Sequence, residues 1–83
     1  MTNSIIEQQM EIPAEHERNL FGQFDEHIKK IERTLRVTLI SRDGMLKIIG
    51  PASNVKKAAD IFRELLKLSL RGNVIQAQNV DYA

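Results

Sequence analysis

Cysteine is missing from this sequence altogether, which excludes a disulfide framework and a thiolate metal site as sources of its stability. That absence suits a reducing cytosol. The N-terminal MTNSIIEQQMEIP has neither the basic start nor the long apolar run of a secretory signal. No stretch approaches the ~18 apolar residues of a membrane span. A cytoplasmic location with no membrane partner is the expectation. Glycine occurs only four times and never in the spacing GxxxxGK followed by Ser or Thr, whose clustered amides cradle phosphates. Pro51 and Ala52 follow Gly50 where Lys and Ser or Thr would be needed, so this segment is not expected to hydrolyse nucleotides. The two histidines, His16 and His27, lie outside any HExxH-type spacing and are expected at the surface or at helix ends. Ser4, Ser41, Ser53 and Ser69 show no positional link to a base. No catalytic residue, metal ligand or cofactor site is therefore expected in this chain.

What is present describes one ordinary globular domain: 83 residues, 42% hydrophobic and 28% charged. A stability of ~4–12 kcal/mol follows from about 0.05–0.15 kcal/mol per residue. The net charge of +1 conceals a segregation along the chain. Residues 1–25 carry one cation, Arg18, against five anions, whereas residues 26–71 carry eleven cations against five anions. Such asymmetry points toward an anionic partner.

Ile6, Met10 and Ile12 alternate with Glu7, Gln9 and Glu11, the period of a half-buried strand that Pro13 ends. A helix of about two turns follows over Ala14–Phe21, with Pro13 preset for its first position and Gly22 as its left-handed end. Asp25 is placed to cap a second helix over residues 26–36, whose Ile28, Ile31 and Leu35 form a buried stripe. Two β-prone runs, residues 37–42 and 45–50, are joined by Asp43-Gly44, a strong hairpin signal. A two-residue turn there sets Leu39 opposite Ile48 and Ser41 opposite Leu46, with Val37, Leu39, Leu46 and Ile48 on the core side. Gly50-Pro51 breaks the strand, Ser53 can cap, and residues 54–71 form the longest helix, closed by Gly72. Val55, Ala58, Ala59, Phe62, Leu65, Leu66 and Ser69 cover its core face, while Ile61 and Leu68 widen the apolar stripe. They either lie under the N-terminal segment or serve a second contact surface. The expected architecture is α+β, with βααββα order and a three-stranded antiparallel sheet whose helices pack on one face.

One constellation remains for function. Lys29, Arg33 and Arg36 recur at i, i+4 and i+7 on the second helix, a row that can track a phosphate backbone. The alternative is routine surface pairing of Asp25 with Lys29 and of Glu32 with Arg36.

The second helix entered through Gly22-Gln23-Phe24-Asp25, then a hairpin, Gly50 and a long helix, resembles a KH domain. That resemblance implies a KH-like fold whose GXXG loop clamps a nucleotide backbone. Gly22 and Gln23 match the start of the loop. Asp25 stands at the second glycine, where a phosphate would approach, and the bulky Phe24 precedes it. More specifically, the sequence from Leu20 to Gly72 is similar to the N-terminal domain of bacterial PhoH-like proteins. The likeness rests on Gly22, on Ile28, Lys29, Ile31 and Glu32, on the RDG turn at Arg42-Asp43-Gly44, on Ile48 to Gly50, and on Val55 with Ala58. It implies a KH-like domain over residues 1–72 and a linker over residues 73–83. A P-loop ATPase domain binding ATP and magnesium would follow.

Two functions are compatible with this reading. In the first, Lys29, Arg33, Arg36, Gly22 and Gln23 bind single-stranded RNA, with Lys47, Lys56 and Lys57 as extensions. In the second, Ile61, Leu68, Ile40 and Ile49 dock the domain on its ATPase partner or on a neighbouring subunit.

Overall fold

A computed structural model describes residues 4–76. The elements run β1 (Ile5–Glu11), α1 (Ala14–Phe21), α2 (Glu26–Leu35), β2 (Thr38–Arg42), β3 (Met45–Pro51) and α3 (Ala52–Leu70). A short 3-10 turn, Gln23–Asp25, separates α1 from α2. The strands form one antiparallel sheet in the order β1-β3-β2. Helices cover one face of it, giving the expected βααββα architecture.

The hairpin registers as the Asp43-Gly44 turn dictates, with Leu39 opposite Ile48 and Ser41 opposite Leu46. Both turn residues take positive φ, 52° and 78°, as a tight primed turn requires. Alternation then decides what is buried. Leu46 and Ile48 are fully enclosed, while Met45, Lys47 and Ile49 lie on the uncovered face. Ile12 leaves β1 and becomes a core residue, its N–H bonding the Gly44 carbonyl at 2.8 Å.

Above the sheet, α3 contributes Val55, Ala58, Ala59, Phe62 and Leu65, all fully buried. Their 3–4-residue spacing makes one face of the helix apolar, and Ala58 and Ala59 keep that face shallow where it nears other elements. Phe62 meets Phe21 of α1 edge to face, with centroids 6.3 Å apart. Leu20, Ile28 and Ile31 close the same core from α1 and α2.

The structure corrects several expectations at helix ends. Pro13 stands just outside α1 with extended ψ of 135° rather than in its first turn. Asp25 precedes α2 but makes no capping hydrogen bond; it holds a left-handed conformation, φ 56° and ψ 33°. Arg36 lies beyond the end of α2, also left-handed. Ser53 caps nothing, because α3 begins at Ala52, two residues earlier than a Ser53 cap would allow, and the hydroxyl turns to Asn54. Pro51 stands just outside α3 with extended ψ of 142°, as Pro13 does before α1.

Ile61 and Leu68 are half-buried against the core. Ile61 shares a cleft of about 340 Å³ with Leu35 of α2. Past Gly72 the chain stays on the body: Ile75 is buried, and its N–H donates to Asn19 Oδ1 at 2.8 Å. Residues 77–83, the rest of the expected linker, lie outside the described residues.

Candidate nucleic-acid interface

The segment joining α1 to α2 has a backbone that its sequence explains only in part. Gly22 adopts φ 78° with ψ 175°, a combination that side chains beyond hydrogen essentially exclude. Phe24 and Asp25 follow, both left-handed. Asp tolerates that region, which explains how it can stand where the loop pattern has glycine; a bulky Phe does so only under strain. Phe24 is nevertheless 83% exposed, the most exposed large apolar side chain among the described residues.

Lys29 and Arg33 project from the exposed side of α2, and Arg36 stands exposed just past its end. The alternative of routine pairing is not what forms. Among the described residues, neither Asp25 with Lys29 nor Glu32 with Arg36 makes an ion pair, and no other carboxylate reaches these three cations. On α3, by contrast, Arg63 pairs with Asp60 and Lys67 with Glu64 at 3.3 Å.

Glu32 has a different task. Its Oε2 accepts the backbone N–H of Leu39 at 2.8 Å, so α2 fastens the open edge of β2. By helical spacing Glu32 lies between the buried stripe and the cation row, so the row borders the seam between α2 and β2. Glu32→Ala is expected to cost about 1–2 kcal/mol, because the nearly buried Leu39 amide loses a charged acceptor. The same change removes a negative charge from beside the three positive ones. Urea unfolding should therefore show a less stable domain.

Sequence spacing missed the polar contacts that join α1, α3 and the chain after α3. Asn19 Nδ2 donates to Ser69 Oγ at 2.8 Å and to the Asn73 carbonyl at 2.7 Å. His16 Nδ1 lies 2.7 Å from the same hydroxyl. Ser69 thus does meet a base, across 53 positions of sequence, but it is buried and already bound by Asn19. His27 stands in the first turn of α2, a helix end as expected, and is buried there. Its Nδ1 stands 3.0 Å from the Leu20 carbonyl, which can only accept, so Nδ1 carries the proton. No signal in the sequence marked these partners, since neither periodicity nor a motif relates them.

The other candidate residues are dispersed. Lys57 lines the cleft beside Leu35, near the end of α2, whereas helical spacing puts Lys56 on the far flank of α3. Lys47 lies with Ile40 and Ile49 on the sheet face that no helix covers. Ile61 and Leu68 belong to the helical layer, so the four apolar docking candidates do not form one patch. Gly22 and Gln23 line a hollow of about 440 Å³ together with Arg18, Asn19 and Ile75.

No family model matches the sequence. Among solved structures, the solution structure of the first type I KH domain of human vigilin is similar, with a TM-score of 0.65 and 20% identity. The match covers 89% of this chain and 81% of that one. Strand order, helix order and this likeness together define a KH-like α+β fold. Among the described residues no helix is long and apolar enough to cross a membrane. The fold alone does not assign a function.

Proposed function

We propose that this chain is a non-catalytic accessory domain that binds single-stranded RNA along the basic side of α2, next to the 22–25 loop. The observation that carries the reading is the exposed row Lys29, Arg33 and Arg36, without carboxylate partners among the described residues. Successive cations about one helical turn apart suit a flexible polyanion, and holding like charges together unpaired is unfavourable unless a ligand relieves it. The likeness to a KH domain agrees with an RNA partner. Lys57, in the cleft between α2 and α3, and Lys47 and Lys56 lie on other surfaces. The resemblance to PhoH-like proteins supports a finer statement: the domain acts in the cytoplasm beside a P-loop ATPase domain, which would bind ATP and magnesium.

A fluorescent pool of single-stranded RNA, titrated at low and at moderate salt, tests this. The domain is expected to bind in the micromolar range and to weaken as salt rises. For a Lys29→Ala, Arg33→Ala, Arg36→Ala variant, the slope of log affinity against log salt should fall by ~2, at about 0.7 per phosphate contact. Failure of the unaltered domain to bind at low salt would overturn the reading.

A second reading rests on the uncovered sheet face, where Ile5 is 65% and Ile40 44% exposed. With Ile49 between them this face could dock the domain on its ATPase partner or a neighbouring subunit, Ile61 and Leu68 adding a separate contact. Such apolar docking would hardly respond to salt.

A further inference from the structure

Among the described residues, Phe24 is the side chain whose placement the fold does least to explain. It sits in the left-handed region at φ 55° and ψ 33°, where a bulky residue is strained, and the strain positions its ring in water. Core packing does not require it there, and Asp25 repeats the same left-handed geometry at the next position.

The charges around the loop determine what the ring can meet. Glu17, Arg18 and Asp25 line a hollow of about 270 Å³ at the foot of the loop, and Glu26 is exposed at the start of α2, so three carboxylates outweigh one cation there. A phosphate brought to this point would be repelled. The uncharged face of a nucleobase would not be. The first unpaired cation of the row, Lys29, begins four residues after Asp25, ~6 Å further along the helix.

We propose that Phe24 is a base-stacking platform: one unpaired base of a bound single strand lies on its ring, while the strand's phosphates run along Lys29 and Arg33. This rests on the RNA-binding reading above and gives the loop a role in it, contact with a base in place of a phosphate clamp. Stacking on an aromatic ring needs no base-specific hydrogen bond, so the platform accepts different bases.

The test uses the unaltered chain and four variants, titrated with a short single-stranded RNA of mixed sequence. Phe24→Ala is expected to weaken binding by about 5- to 150-fold, the range of one base–aromatic stack. The dependence on salt should not change, because no phosphate contact is lost. Phe24→Leu keeps apolar bulk without a π-face and should weaken binding as alanine does. Phe24→Trp should bind at least as well as phenylalanine. Because the chain has no other tryptophan, stacking should also appear as quenching of its fluorescence. Phe24→Gly separates function from fold: it relieves the left-handed strain, so the melting temperature should rise by several degrees while RNA affinity falls. If the unaltered chain binds RNA but Phe24→Ala binds equally well, the platform is overturned and the RNA-binding reading stands. Leucine binding as well as phenylalanine would likewise overturn it, because an apolar contact without a π-face would then suffice. If the unaltered chain does not bind, both fail.

Discussion

Phe62→Ala should remove a large fraction of this domain's stability. Phe62 is fully buried and stacks edge to face on Phe21, which couples α3 to α1 above the sheet. Truncating such a residue typically costs about 3–5 kcal/mol, the transfer of the ring plus the cavity left behind. Against a total of ~4–12 kcal/mol that is a large fraction. The midpoint of thermal unfolding, followed by circular dichroism, should fall by more than ~15 °C. Phe62→Leu, which retains most of the volume, should remain folded with a much smaller shift. If the alanine variant melted within a few degrees of the unaltered domain, the core could not be centred where the structure puts it.

Gly22→Ala should have the next largest effect, for a reason unrelated to hydrophobic burial. With φ 78° and ψ 175°, position 22 holds a backbone that costs any other residue about 1–3 kcal/mol. A β-carbon there would also come within 2.7 Å of Glu26 Cγ and 3.1 Å of the His27 ring. The Glu26 side chain can swing away. His27 cannot do so freely, being buried and bound to the Leu20 carbonyl. The expected loss is about 2–3 kcal/mol, or roughly 10–20 °C in melting temperature. RNA affinity should fall with it, since α2 and Phe24 would be re-aimed together. Asp25→Gly provides the opposite control: relief of a left-handed conformation at position 25 should be neutral or slightly stabilising. Were both substitutions equally harmful, local backbone geometry would not be the cause.

The two substitutions also show how differently the two halves of the molecule depend on their neighbours. Around Phe62 the spacing of apolar residues is informative, because a helix that must bury one face repeats every three to four residues. Around Gly22 only the glycine was informative. Asp25 read as an N-cap from its residue type, yet the chain reaches α2 through consecutive left-handed residues and its carboxylate never meets the first-turn amides. Ser53 failed as a cap for a related reason, since the helix had already begun at Ala52. In both cases residue type stated a preference, and the direction in which the chain arrived overrode it.

The candidate interface divides in the same way. The i, i+4, i+7 row on α2 was legible because helical geometry alone puts those residues side by side. Whether its charges would pair with nearby carboxylates was open. Glu32 was resolved by a strand seven residues ahead, whose edge amide offers the carboxylate a better partner than Arg36 does.

By itself, then, the sequence determined the element order, the hairpin register and the core faces of the hairpin, of α2 and of α3. These follow from local periods and from one turn dipeptide, and they need no knowledge of what lies across the fold. Tertiary structure alone decided that Glu32 fastens β2, that Asn19 and His16 meet on Ser69, that Ile75 returns to the core, and that Phe24 stands in water. Each depends on contacts between residues that no local period relates, or on a backbone conformation that its own side chain disfavours. Only the assembled molecule can enforce such choices, because the energy that overrides local preference comes from the packing of the whole.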